Sequence, residues 1–182
     1  VVSPTNSLVG VSTNDMVGAG GITPLANGNY VVRSQYWQNG AVFQVGAVTW
    51  GNGAVGRKGR VSATNSLIGS TSSDKVGSGG VTALANGNYV VGSPNWDRGT
   101  SGDVGAATWG SGTSGVTGVV SAANSLVGSN GSDQVGSAGA LALANGNYVV
   151  RSPNWDRGSV SDVGAATWCN GTTGTKGVVA AT

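Results

Sequence analysis

The sequence predicts an all-β fold, a β-propeller of three four-stranded antiparallel blades of 59 residues each, and three observations lead to it. The first is a tandem repeat. Asn6-Ser7-Leu8-Val9-Gly10 returns as Asn65-Ser66-Leu67-Ile68-Gly69 and as Asn124-Ser125-Leu126-Val127-Gly128, 59 residues apart each time. Leu25 to Val32 returns unchanged from Leu84 and from Leu143, and Gly46-Ala47-Val48-Thr49-Trp50 has counterparts ending in Trp109 and Trp168. No insertion breaks the register, so each copy is a structural unit of fixed size. The second observation is composition. Glycine supplies 34 of 182 residues, while the charged residues that line helix faces make up only 9%. That balance suits short strands and tight turns. The third is the Asn-Gly pair set between β-prone runs in every copy, a strong hairpin signal because both residues tolerate positive φ.

One copy, cut at residues 65–123 between neighbours at 6–64 and 124–182, reads as four strands in antiparallel order. Val81 to Leu84 is a short apolar run, Asn86-Gly87 turns the chain, and Tyr89-Val90-Val91 returns. Pro94 blocks further extension, and Ser93 to Gly102 reads as a loop. Val104 to Trp109 is the third run. Val116 to Val127 holds the fourth, with a break near Ala122. A four-stranded meander recurring at this period is the pattern of propeller blades. A β-solenoid is the alternative. It calls for a sub-repeat of roughly 20 residues, which the copies do not display.

Composition also narrows the function classes. Regular Val, Leu, Trp and Tyr positions offer apolar area to bury, which argues against disorder despite the glycine. A formal charge of +2 is too small to imply a nucleic-acid partner. The basic cluster Arg57, Lys58 and Arg60 occurs in the first copy alone and reads as a solvated turn. No apolar run approaches the roughly 20 residues of a membrane span. The chain opens on Val1-Val2 in mid-repeat with no signal peptide, so it reads as a processed or excised piece of something longer. The one cysteine, Cys169, stands where the other copies have Gly51 and Gly110. Without histidine, it supports neither an internal disulfide nor a Cys/His zinc site, and it reads as incidental.

Val76-Gly77, then Gly92-Ser93-Pro94, then Gly105-Ala106-Ala107-Thr108-Trp109 resembles the FG-GAP repeat of integrin-α-type propellers. Val stands here for the Phe of that pattern and Ser for the Ala of its Gly-Ala-Pro. The third copy has Arg151-Ser152-Pro153, and the first, with Arg33-Ser34-Gln35, departs most. The whole unit, with its Asn-Gly-Asn-Tyr-Val-Val and Ser-Pro-Asn-Trp-Asp segments, also resembles repeats of unknown function in large bacterial surface proteins of the filamentous-haemagglutinin type. Integrin-type blades often hold calcium in an acidic loop between their first two strands. Here that loop is Ala85-Asn86-Gly87-Asn88, with no carboxylate in any copy, so the resemblance does not carry the metal across. No metal and no cofactor is expected.

Candidate chemistry is sparse. Asp15, Asp74 and Asp133 are equivalent and sit in glycine-rich turns, where aspartate caps its own backbone amides. Paired carboxylates for hydrolysis normally occur once, in one cleft, whereas these recur. No catalytic residue is assigned and an enzyme is not expected. Trp50, Trp109 and Trp168, like Tyr30, Tyr89 and Tyr148, occur once per copy and read as packing between units. Trp37, Trp96 and Trp155 lie in polar loops, where Trp96-Asp97-Arg98 and Trp155-Asp156-Arg157 could stack on a sugar and bind its hydroxyls. These seven residues are the candidate ligand site, with glycans as the candidate ligand. The first copy differs, with Gln38 and Gln44 in place of Asp.

Three blades do not close a ring, so exposed edges invite association. Val178 to Ala181 returns to the register of Val1 to Pro4, and two chains head to tail would give six blades. Self-association is expected, as a dimer closing a six-bladed ring or as a filament. The reading is a non-enzymatic, extracellular or cell-surface bacterial module, a structural and adhesive scaffold, with a carbohydrate-binding lectin as the alternative.

Overall fold

The computed structural model describes residues 1–180; Ala181 and Thr182, the end of the third copy and of the Val178 to Ala181 register match, lie outside the described residues. Fifteen short strands and no helix form among them. The first copy holds β1 (Leu8–Val9), β2 (Gly21–Pro24), β3 (Tyr30–Ser34), β4 (Ala47–Gly51) and β5 (Gly59–Arg60). The second holds β6 (Leu67–Ile68), β7 (Gly80–Ala83), β8 (Tyr89–Ser93), β9 (Ala106–Gly110) and β10 (Gly118–Val119). The third holds β11 (Ser125–Val127), β12 (Ala140–Ala142), β13 (Tyr148–Ser152), β14 (Ala165–Cys169) and β15 (Gly177–Val178).

Each copy builds an antiparallel three-stranded meander: β2-β3-β4, β7-β8-β9 and β12-β13-β14. The turn between β7 and β8 is longer than the two-residue form expected from Asn-Gly. Leu84 N–H donates to the Asn88 carbonyl (2.8 Å), which encloses three residues, and only Gly87 among them takes a positive φ, 86°. Asn86 instead accepts from the Asn88 N–H through Oδ1 (3.1 Å), a side-chain turn that replaces its left-handed backbone.

The fourth run also differs from the expected single strand. It divides into β10 and β11, because Asn124 accepts from the Ser121 N–H (2.9 Å) and donates to the Val119 carbonyl (2.8 Å), folding the chain on itself between them. β11 pairs antiparallel with β9 and completes the second sheet, while β10 pairs parallel with β6. β6 in turn completes the first sheet, against β4. The fourth strand of a sheet thus comes from the Asn-Ser-Leu segment of the following copy. Two-residue parallel pairs, β1 with β5, β6 with β10 and β11 with β15, join the outer edges of neighbouring units, so the order is not purely antiparallel.

The middle sheet is buried on both faces, and the alternation of strand side chains sorts them. Tyr89, Val91, Ala106 and Val127 pack toward the first sheet with Val31, Val48 and Leu67. Val90, Ala107 and Leu126 pack toward the third with Tyr148, Val150 and Cys169. Two of the three apolar clusters therefore lie between units, and the third, with Trp37, Val45, Ala47, Val61 and Ile68, lies in the first unit and the strand that completes its sheet.

Candidate functional site

The residues that recur most strictly form two groups, one within each copy and one across the junction to the next. One group surrounds the repeated aspartate. Asp74 is fully buried. Its Oδ2 accepts from the N–H groups of Ser70 (2.7 Å) and Thr71 (2.8 Å), the capping expected from sequence. Its Oδ1 reaches further and accepts from the Asp97 N–H (3.0 Å), 23 residues on. Asp133 and Asp15 repeat this with Asp156 and Gln38. The aspartate so ties its own turn to the loop that carries Trp37, Trp96 or Trp155. A Cβ on Gly69 would come within 2.7 Å of Asp74 Cβ and 2.4 Å of the Val45 carbonyl, which is why the Asn-Ser-Leu-Ile segment ends in glycine. Burial raises the Asp74 carboxyl above the usual carboxylate range, against the pull of the amide donors of Thr71, Asp97 and Ser70.

The same turn grips the preceding unit through its backbone. Ser73, Lys75 and Val76 donate to the carbonyls of Phe43, Gln44 and Val45 (3.0 Å each), and Ser132, Gln134 and Val135 do the same to Gly102, Asp103 and Val104 (3.0, 3.0 and 3.2 Å). The backbone is strained here. All nine non-glycine residues with positive φ among the described residues are Asn14, Met16, Gln44 and their equivalents in the other copies.

A second group centres on one carbonyl. Asn27 Nδ2 (2.8 Å), Asn29 Nδ2 (2.8 Å) and Trp50 Nε1 (3.0 Å) all donate to the Gly112 oxygen of the next unit. Asn86, Asn88 and Trp109 donate to Gly171 in the same way (2.8, 2.9 and 2.9 Å). The sequence marked the Asn-Gly-Asn segment only as a turn. Its strict recurrence in all three copies was the available signal that its side chains also hold a neighbour.

The indoles of Trp37, Trp96 and Trp155 are buried, and their Nε1 atoms have no hydrogen-bond partner. Their faces are covered by core side chains and are not presented for stacking. Asp97 and Asp156 accept through Oδ1 from the N–H groups of Asp103 and Asp162 (2.8 Å each), while Arg98 and Arg157 point into solvent. The structure thus does not bring the seven predicted residues into one open site. The first copy does hold a cleft of about 310 Å³, lined by Tyr36, Gln38, Phe43, Gln44 and the turn at 12–14, where its side chains differ from those of the other copies.

Cys169 is buried and stands at a crowded position. In its place a Cβ on Gly51 or Gly110 would lie 2.3 or 2.2 Å from Cζ of Tyr30 or Tyr89. Those tyrosine oxygens accept from the N–H groups of Arg57 (2.9 Å) and Val116 (3.2 Å). Tyr148, beside Cys169, keeps its hydroxyl buried with no partner. Burial raises both the Tyr148 hydroxyl and the Cys169 thiol above their ordinary values.

A family model for a repeat of unknown function (DUF5650) matches residues 1–19, 24–78, 83–137 and 142–182. The chain belongs to this repeat family. The two long matched segments, 24–78 and 83–137, each run from the end of a sheet's first strand past its fourth, so the family repeat has the phase of the sheets. No curated protein matches the chain. Among the described residues no helix is long and apolar enough to cross a membrane, and no three His, Cys, Asp or Glu side chains gather as metal ligands.

Proposed function

We propose that this chain is a non-enzymatic repeat module, a structural and adhesive scaffold of a bacterial surface or secreted protein, whose sheets act as blades of a propeller-type array. One observation carries the reading. The recurring polar and aromatic side chains are spent on the fold itself: the aspartates on turn and loop amides of their own copy, the asparagines and Trp50 and Trp109 on a neighbour's carbonyl. A binding or catalytic repeat would leave its recurrent polar groups free to meet a ligand. The blade reading is supported by the first strands of the three sheets, β2, β7 and β12, which lie side by side, with Thr82 Oγ1 donating to the Ala140 carbonyl (3.1 Å). Gathered first strands are what blades around an axis require. The extended ladders are antiparallel, which favours blades over solenoid coils.

Screening the chain on a glycan array, beside the variant Arg98→Ala/Arg157→Ala, tests the scaffold reading. Both arginines are exposed, so that variant keeps its fold. No glycan binding that depends on these loops is expected. Specific binding lost in the variant would replace the scaffold with a lectin.

A further inference from the structure

The first copy uses its long loop differently from the other two. Tyr36 stands where the second and third copies have Asn95 and Asn154, and Phe43 where they have Gly102 and Ser161. The charged residues of the second copy's loop are gone as well: Gln38, Asn39 and Gln44 replace Asp97, Arg98 and Asp103. The new aromatics do not serve the core. Phe43 is 63% exposed and joins none of the apolar clusters, and Tyr36 is partly buried. A Cβ on Gly102 would meet only Asp97 Oδ1, at 3.8 Å, so the same place in the second copy is open. The polar groups differ in the same sense. Asp103 Oδ1 accepts from Asn95 Nδ2 (3.2 Å), and Asn154 Nδ2 donates to Gln134 Oε1 (2.8 Å). In the first copy Gln38 Nε2 donates to the Thr13 carbonyl (2.5 Å), while the side-chain polar groups of Thr13, Asn14, Tyr36 and Gln44 have no partner among the described residues. These side chains line the cleft of about 310 Å³ between turn and loop. Ser72, Ser73, Gly131 and Ser132, the counterparts of Thr13 and Asn14, are exposed although a preceding unit grips their turns. The cleft is thus open by its place on the surface of a unit, whatever stands before that unit.

We propose that this cleft binds a neutral sugar residue of a glycan. The rings of Tyr36 and Phe43 offer apolar faces for the C–H face of a pyranose. The amides of Asn14 and Gln44 and the hydroxyl of Thr13 each donate and accept, as sugar hydroxyls do. No lining residue is charged at neutral pH. A phosphate, carboxylate or ammonium group would therefore shed its hydration there without finding a counter-ion. The volume stands at the lower end of the range of about 300–1,000 Å³ for small-molecule sites, which suits a single sugar ring. Gln38 is a positioning residue. Its N–H donates to Asp15 Oδ1 (3.0 Å) and its Nε2 to the Thr13 carbonyl, so it sets the spacing of the two walls. The inference goes beyond the scaffold reading: the recurring groups hold the fold, and this set, which occurs once, is left to meet a ligand.

An array of neutral and charged glycans, followed by calorimetric titration of the best neutral one, tests this on the full chain. Phe43→Gly and Gln44→Asp install the residues of the second copy, whose backbone is the same there, with φ 51° at Asp103 against 50° at Gln44, so both variants keep the fold. A neutral glycan is expected to bind once per chain, insensitive to added salt. Each variant is expected to bind it roughly tenfold more weakly, the loss of one stacking or hydrogen-bonding group. Arg98→Ala/Arg157→Ala is expected to bind it as the parent chain does. A chain that binds no neutral glycan overturns the inference and leaves the scaffold reading in place. Binding to charged glycans alone, or binding that Phe43→Gly leaves unchanged, overturns it equally. Binding lost in Arg98→Ala/Arg157→Ala and kept in Phe43→Gly would overturn both readings together.

Discussion

Trp109 and Trp168 occupy the same position in the second and third units, end the same third strand and follow the same Ala-Ala-Thr. The first donates to Gly171 and packs against a core, while the second is mostly in solvent. Val104 and Val163 differ in the same sense. Local sequence is nearly constant between the two regions, and the burial is not. A unit of this repeat supplies half of a core, and the neighbour supplies the other half. This is the behaviour of a one-dimensional array, in which stability resides largely in the interfaces between repeats.

The sharpest way to break that comparison is to remove the two indoles in turn. Trp109→Ala empties a junction and is expected to cost about 3 kcal/mol of unfolding free energy, in line with other truncations of packed aromatics. Trp168→Ala is expected to cost less than about 0.5 kcal/mol in dilute solution, as for a surface change. Denaturant titration of both variants reads the difference, and equal losses would mean that the third unit is packed by something other than a neighbour.

Transplanting the third copy's cysteine is next in size. Gly110→Cys drives a side chain into the Tyr89 ring and is expected to cost about 2 kcal/mol, the range of overpacked cores. Thermal unfolding of the variant checks this. An unchanged midpoint would show that Tyr89 can move aside as Tyr148 has.

A smaller effect is expected from the asparagines. Asn86→Ala/Asn88→Ala removes two donors to the Gly171 carbonyl and should cost about 1–2 kcal/mol more than Asn145→Ala/Asn147→Ala, which loses only the bonds accepted from the Asn147 and Gly171 N–H groups that its counterparts also make. Denaturant midpoints at one protein concentration separate the pairs.

The smallest effect lies in pH. Burial holds the folded Asp74 pKa above its unfolded value, so the folded state binds the proton more tightly. Its contribution to stability is full below the unfolded pKa and is lost as pH rises through the folded one. The stability of the chain minus that of Asp74→Asn should therefore fall on going up in pH from about 4, the ordinary aspartate value. A difference that grew with pH would mean that the three amide donors outweigh the burial.

Much of this was legible beforehand. The hairpin of β7 and β8, a third strand running through Trp109 and the capping by Asp74 follow from local chemistry: β-branched runs, glycine where φ is positive, and a carboxylate near free amides. The break near Ala122 was legible too, but not its consequence. That β10 and β11 serve different neighbours depends on one pairing 51 residues apart, Gly118 with Leu67, and one only 17 apart, Ser125 with Thr108, a division that no local pattern reports. The Trp96 loop misled because Asn, Asp and Arg around an indole look like a surface. The Asp74 Oδ1 bond to the Asp97 N–H draws that loop inward and buries the ring.

By itself the sequence determined the period, the all-β class, the places of the main strands and turns in each copy, and the near-absence of charge, because these depend on residue types and spacings within a few positions of one another. Only the tertiary structure decided which copy completes which sheet, which tryptophans are covered, and that Asn27 and Asn86 hold a carbonyl in the next unit. Those outcomes depend on where a neighbouring repeat lies, and identical residues meet different fates according to whether one is there.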